Sequence, residues 1–180
     1  AVSAMSGSTH PPFASVMEAA RALLLAGLCV VPVRCDGSKA PTVKWRVYES
    51  RRPSEEELGR LFIGKVGIAI VCGKVSGGLE LLDFDELTVI GPWRTEVEEA
   101  APGLLARLPQ VGTPRRGLHV WYRCPSVEGN QKLAQVMEKD PATGKTTVRT
   151  LIETRGEGGY ALVPPSPPEC HELNLPYVHI

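Results

Sequence analysis

The chain has 180 residues, 43% of them hydrophobic and 22% charged, enough for one domain with a buried core and unlike a disordered or fibrous chain. Twenty Lys and Arg balance twenty Asp and Glu, so no net field draws the molecule toward a polyanion. Any contact with nucleic acid must come from a local patch.

Residues 1–12, through Pro11-Pro12, carry no basic region followed by an apolar segment; they read as a flexible lead-in, not a secretion signal. Ser15-Val16-Met17-Glu18 is a capping box and the apolar-rich run to Ala26 closes on Gly27, which predicts a first helix. Residues 28–33 predict a strand stopped by Pro32 and Arg34, followed by a loop with Lys39, Pro41 and Trp45. Ser54-Glu55-Glu56-Glu57 repeats the capping box and predicts a short helix through Phe62. Residues 66–72 and 79–83 are strand-like runs separated by Gly73 and Gly77-Gly78, which predicts a hairpin. An acidic helix over 93–101 leads to the apolar run 104–108.

Residues 111–113 and 118–123 predict a strand pair around a basic Pro-Gly turn, and 132–139 and 146–153 flank the turn signal 140–144. A second Gly-rich turn over 155–159 precedes a strand at 160–163 and a Pro-rich exit at 164–168. Helices that precede and interrupt hairpin-connected strands predict an α+β fold with a mixed or antiparallel sheet. The longest near-apolar run, 22–33, is broken by Gly27 and Pro32 and falls short of the roughly 20 residues that cross a bilayer. No membrane partner is expected. Five dispersed cysteines without a CxxC pair read as small hydrophobes in a reducing compartment, and Cys170-His171 is either a metal-ligand pair or, the reading preferred, a surface accident. The uncapped end at Tyr177-Val178-His179-Ile180 suggests that 13–180 is a domain excised from a longer protein.

The charge is segregated along the chain. Residues 104–123 hold Arg107, Arg115, Arg116 and Arg123 with no acid, whereas 80–100 hold seven acids against Arg94. Within the acidic stretch, Leu81-Leu82-Asp83-Phe84-Asp85 begins as a buried strand and ends in carboxylates at i and i+2. Alternate strand residues share a face about 6.6 Å apart, so both acids can meet on one side while Phe84 packs on the other. Such a pair is costly unless a cation neutralises it. A hard divalent ion takes carboxylate oxygens, and two such ions clamp a phosphoryl transfer. The alternative is a strand that simply ends in solvated acids.

Thr113-Pro114-Arg115-Arg116-Gly117-Leu118-His119 sets basic donors and a glycine on a turn, with His119 in the strand that follows. Guanidinium groups grip phosphate as a fork, and glycine lets backbone N–H groups approach it. A lone strand histidine is usually a core residue; beside a basic turn, His119 becomes a phosphate ligand. Glu153 follows an apolar strand as Asp83 does, with Arg155 at i+2 on the same face. The pair is either a third carboxylate beside a cation, as a two-metal triphosphate site requires, or an exposed ion pair of small effect.

In order and spacing these segments resemble the bifunctional DNA primase/polymerase N-terminal domain, the prim-pol branch of the archaeo-eukaryotic primase superfamily. The likeness rests on Lys39-Ala40-Pro41 with Trp45, residues 67–73, Leu82-Asp83-Phe84-Asp85, Gly117-Leu118-His119, and residues 155–160 with Pro164-Pro165-Ser166. The resemblance implies an RRM-like sheet packed with an α/β N-terminal unit. Asp83, Asp85 and Glu153 become the catalytic carboxylates that bind Mg²⁺ or Mn²⁺. His119 contacts the triphosphate, with Arg116, Gly117, Arg155 and Lys39 as further nucleotide contacts. Arg115-Arg116-Gly117 stands where members usually carry Ser-Gly-Gly, a stiffer turn with more positive charge.

The implied reaction is transfer of NTPs or dNTPs to a primer 3′-hydroxyl on a single-stranded DNA template. It is often found beside a C-terminal helicase in cytoplasmic bacterial, archaeal, plasmid or phage replication proteins. Lys44, Arg46, Arg51 and Arg52 are expected along the template path; Trp45 either stacks on a base or packs. Two other classes stay open: a non-catalytic nucleotide or single-stranded nucleic-acid binding module, and a sugar-nucleotide transferase, which fits the length and the third motif poorly.

Overall fold

The computed structural model describes residues 13–180; the expected lead-in over 1–12 lies outside the described residues. The first helix, α1 (Val16–Leu25), starts as its capping box dictates, with Ser15 Oγ accepting the Glu18 amide at 3.1 Å. The second box is complete: in α2 (Glu55–Leu61) Ser54 Oγ accepts the Glu57 amide while the Glu57 carboxylate accepts the Ser54 amide. Both helices pack against one another, and α1 lies on β1 (Cys29–Val33) and β2 (Gly67–Val71).

Every residue of β1 and β2 is buried, the pattern of strands covered on both faces. With β8 (Tyr160–Leu162) they form an antiparallel sheet in the order β1-β2-β8. Pro32 lies inside β1 and does not stop it, because β1 is an edge strand and its missing N–H costs no ladder bond there. The Pro-rich exit is stitched to this sheet by Ser166, whose hydroxyl accepts the Ile68 amide and donates to the Ile68 carbonyl. Gly67 is required at the same junction: a Cβ there would collide with the Cys170 sulfur.

The larger sheet has six strands, all antiparallel to their neighbours. They run β6 (Lys132–Lys139), β7 (Thr146–Arg155), β3 (Leu79–Phe84), β5 (Leu118–Arg123), β4 (Gln110–Gly112) and β9 (Val178–His179) in spatial order. The expected strand pairs β4–β5 and β6–β7 form, the second around a turn in which Asp140 accepts the amides of Ala142 and Thr143. The helices and antiparallel sheets together make a mixed α and β domain, the α+β class expected.

Two local expectations are corrected. β2 and β3 do not form a hairpin: they touch through a single bridge, Gly73 with Leu79, and then belong to different sheets. The glycines instead turn a short 3-10 segment, Lys74–Ser76, that hands the chain from one sheet to the other. Local turn chemistry is the same for both outcomes, and long-range pairing of β2 with β1 and β8 decides between them. The acidic helix also starts earlier, as α3 (Leu87–Ala100), with Gly91-Pro92 inside it. Proline removes one intrahelical bond, but Val89, Ile90 and Trp93 pack on Phe84 and hold the helix together across it.

The two faces of β3 explain where the core sits. Leu79 and Leu81, with Trp121 and Val111 of neighbouring strands, join the three-stranded sheet in the main core. Phe84, Leu118 and Val120 point the other way into a second cluster under α3. Phe84 is fully buried and its ring lies 4.7 Å from that of Trp93, a burial that contributes about 1.5–3 kcal/mol. Cys29, Cys72 and Cys170 are buried hydrophobes, as composition suggested, and burial pushes the Cys29 thiol up to about 12.

Candidate active site

On the core-facing side of the large sheet, the apolar row of Leu81 and Trp121 gives way to a polar one. Asp83 is directly opposite His119 on β5 and directly opposite Glu153 on β7. Residues opposite one another in an antiparallel ladder share a face, so three side chains from separate motifs form one row across three strands. Asp85 lies just beyond the end of β3, exposed, with its amide bonded to the Leu151 carbonyl at 3.0 Å.

This row ends in a cleft of about 320 Å³, within the size range of about 300–1,000 Å³ usual for small-ligand sites. Asp83, Asp85, His119 and Arg155 line it from the large sheet, Tyr160, Ala161 and Leu162 from β8, and Ser38 and Lys39 from the loop after β1. The cleft thus opens between the two sheets. Lys39 holds a left-handed conformation (φ +59°), and its carbonyl accepts a hydrogen bond from Tyr160 Oη at 3.2 Å.

The electrostatics of the row are uneven. Burial works to raise the Asp83 carboxyl, but contact and charge from His119 and Arg155 outweigh it and hold it down to about 2. His119 Nε2 sits 3.4 Å from Asp83 Oδ1, and its buried Nδ1 has no hydrogen-bond partner among the described residues. Asp85 is shifted the other way: burial and the neighbouring Asp83 charge push its carboxyl up. Arg155 Nε donates to Asp83 Oδ2 at 2.9 Å and Nη2 donates to Glu153 Oε1 at 2.7 Å. One guanidinium therefore bridges two of the three carboxylates.

Among the described residues, no three His, Cys, Asp or Glu side chains are arranged as a ready metal cage. The Asp83-Asp85 pair nonetheless fits a hard divalent cation: it offers carboxylate oxygen donors from one strand end, and both residues line the cleft. Glu153 shares the face but is bound to Arg155 and does not line the cleft.

The basic turn is built as a tight loop. Thr113 Oγ1 accepts the Gly117 amide at 3.1 Å, the Thr113 carbonyl accepts the Arg116 amide at 2.9 Å, and Arg116 is left-handed (φ +64°). A Cβ at Gly117 would collide with the Phe84 carbonyl, so this position brings the turn against the end of β3. Arg116 is exposed and outside the cleft lining, and Arg115 pairs with Glu172.

None of the residues expected on the template path lines the cleft. Arg51 forks onto Glu57 with two bonds of 2.8 Å, Arg52 donates to the Gly27 carbonyl, and Arg46 pairs with Glu49. Lys44 is exposed. Trp45 packs edge-on against Tyr160 at 4.9 Å and on the main core, the packing alternative, where it supports a cleft wall from behind.

Several lining residues escaped sequence reasoning. Cys170-His171 is no surface pair: Cys170 is 0% and His171 4% exposed. His171 reaches the cleft because its segment bridges to Ser38, and Nδ1 accepts the Leu173 amide. Burial lowers its pKa. Tyr177 is buried beside both histidines, with ring centroids 6.0 Å from His119 and 6.2 Å from His171. Thr113 and Asn130 also border the cleft. Of these, the sequence singles out only Cys170-His171 and Thr113, the first residue of the basic turn; Asn130 and Tyr177 lie in stretches with no motif.

Among the described residues no helix is long and apolar enough to cross a membrane. A comparison with curated proteins finds no match. The family model for the bifunctional DNA primase/polymerase N-terminal domain, Prim-Pol, matches residues 20–174, a span that holds both sheets' central strands, both acidic motifs and the basic turn with His119, and the chain belongs to that family.

Proposed function

We propose that this domain is a template-directed nucleotidyltransferase with the primase-like fold, in which an RRM-like large sheet carries the chemistry and the α1, α2 and small-sheet unit buttresses it. It adds NTPs or dNTPs to a 3′-hydroxyl on single-stranded DNA. The observation that carries this is the polar row of His119, Asp83 and Glu153, of which His119 and Asp83 line a cleft that also takes in Lys39 and His171. That row sets acid and base side by side, as a site for a triphosphate and a cation requires.

Asp83 and Asp85 would hold Mg²⁺ or Mn²⁺, with Glu153 as the third carboxylate. Bound there, the ion supplies positive charge for the triphosphate and for the attacking oxygen. Asp83 stays ionised at neutral pH because its carboxyl is held near 2, so it serves as an oxygen donor and not as a proton source. His119 is oriented by Asp83 through Nε2 and lines the cleft beside it, which places it to contact the triphosphate. Lys39 adds a positive charge on the opposite wall. Gly117 lets the basic turn pack on the end of β3, beside the acids.

A second function, binding of nucleotide or single strands without turnover, has one observation in its favour: Arg155 already neutralises Asp83 and Glu153. One assay separates the two. Synthesis is followed by gel on primed and unprimed single-stranded templates, with each nucleotide type and with Mg²⁺ or Mn²⁺. Metal-dependent incorporation is expected, and its complete absence under all conditions would leave only the binding function.

A further inference from the structure

We propose that the Arg155 guanidinium is an internal stand-in for a cation in the acid row, and that a divalent ion completes the site only by displacing it from Asp83. This rests on the nucleotidyltransferase function proposed above and specifies how its cation site is regulated.

The ladder makes the arrangement specific. Arg155 is directly opposite Leu81, and Glu153 directly opposite Asp83, so Arg155 is the diagonal neighbour of Asp83 on one face, a distance long side chains span. Its stem lies over a fully buried leucine, which guides the charged head along the sheet toward the acids. There the planar fork meets one carboxylate with Nε and the other with Nη2, at 2.9 and 2.7 Å. Lysine cannot bridge two carboxylates with that geometry.

The bridge settles an energetic problem of the cation-free protein. Asp83 is 5% exposed, and a buried carboxylate without a counter-charge is strongly destabilising. The same bridge leaves the acids short of a metal cage. Asp83 Oδ2 and Glu153 Oε1, two oxygens the cage needs, are already accepting hydrogen bonds from Arg155, and Glu153 is thereby kept out of the cleft lining. A divalent ion and the guanidinium compete for the same lone pairs. Once released, Arg155 remains a lining residue of the cleft with its fork unoccupied, the geometry that grips a phosphate. Arg155 is thus a positioning residue for the cation, and its removal has opposite effects in the two states of the site.

The test compares the wild-type protein with Arg155→Lys and Arg155→Met. Mn²⁺ affinity is read by electron paramagnetic resonance, and the melting temperature is measured with and without Mg²⁺. In nitrogen-15-labelled wild type, the Arg155 Nε–H resonance, assigned by its absence in Arg155→Lys, is followed during a Mg²⁺ titration. Displacement predicts that Arg155→Lys binds Mn²⁺ at least several-fold more tightly than wild type although it keeps the positive charge. It also predicts that both variants melt lower without metal, that Mg²⁺ closes the gap, and that the Nε–H resonance moves as Mg²⁺ saturates. Equal Mn²⁺ affinities and an unmoved resonance, in a protein that binds Mn²⁺ and incorporates nucleotide, overturn the displacement and leave the proposed function standing. If no variant binds Mn²⁺, both fall together. Should Arg155→Met fail to fold, Arg155→Lys and the resonance decide alone.

Discussion

The two sheets are built by opposite rules. In β1 and β2 of the small sheet every residue is buried, on one side by α1 and α2 and on the other by the large sheet. In β3 and β5 of the large sheet the core-facing side changes character along the strand, from Leu81 and Trp121 to Asp83 and His119. The change falls where β8 and the loop carrying Lys39 leave a gap. Stability is thus concentrated in a sheet without charged side chains, and the charged row is fixed by its ladder at the rim of that core. A rigid apolar platform lets a site keep buried charges in place, because the cost of ordering them is met elsewhere in the fold.

The largest effect expected from this division is on chemistry. Asp83→Asn with Asp85→Asn preserves side-chain shape and removes both charges; nucleotide incorporation should fall at least about 10³-fold, roughly 4 kcal/mol of transition-state stabilisation. Primer extension, run beside circular dichroism melting, checks it. Undiminished extension would mean that the row is not the active centre.

In the small sheet the loss should be in stability. Ile68 is fully buried in β2, the central strand of the small sheet, opposite Pro32 of β1 and bonded to Ser166 on its other side. Ile68→Ala should cost about 2–5 kcal/mol in urea unfolding, with extension per folded molecule close to wild type. A variant that stays stable but loses activity would show that the sheets are not separable in function.

His119 stands where the two rules meet, buried on the ladder yet lining the cleft. His119→Ala should weaken nucleotide binding about tenfold, near 1.4 kcal/mol, and leave the circular dichroism spectrum native. Titration of a fluorescent nucleotide measures the first. A molten or unfolded variant would instead assign His119 to the core.

How much of this was legible depended on range. Strand alternation alone placed Asp83 and Phe84 on opposite faces, and the capping boxes at Ser15 and Ser54 started helices where expected. These are signals within a few residues. The fate of Gly73 and Gly77 was not legible, because the same glycines serve a hairpin and a crossover, and strands far along the chain choose between them. The site shows the same limit. The Asp83, His119 and Glu153 motifs were visible separately, but the register that sets Arg155 diagonal to Asp83 belongs to the β3–β7 ladder, whose strands are some seventy residues apart. The residues expected on the template path lie outside the cleft for a further reason: a basic side chain on the surface is as well used by a helix cap or a carbonyl as by a phosphate, and Arg51 and Arg52 are used that way.

The smallest expected effect lies on the outer layer that shields the small sheet. Glu57 closes the capping box of α2 and accepts both arms of Arg51, and these contacts hold its carboxyl down to about 2 from the usual 4.5. A carboxyl whose folded pKa is depressed contributes stability above its unfolded pKa and loses it as pH falls through the folded value. The urea midpoint of Glu57→Gln should therefore lie below that of wild type at pH 7 and at pH 5.5. The gap should narrow from about pH 4.5 downward and close near pH 2, where wild-type Glu57 is itself protonated. Salt should shrink the gap as well, since the Arg51 pair is at the surface and screened. A gap that is constant from pH 7 to 2 would assign the loss to the shape of the cap and not to its charge, and α2 would then shield the small sheet by packing alone.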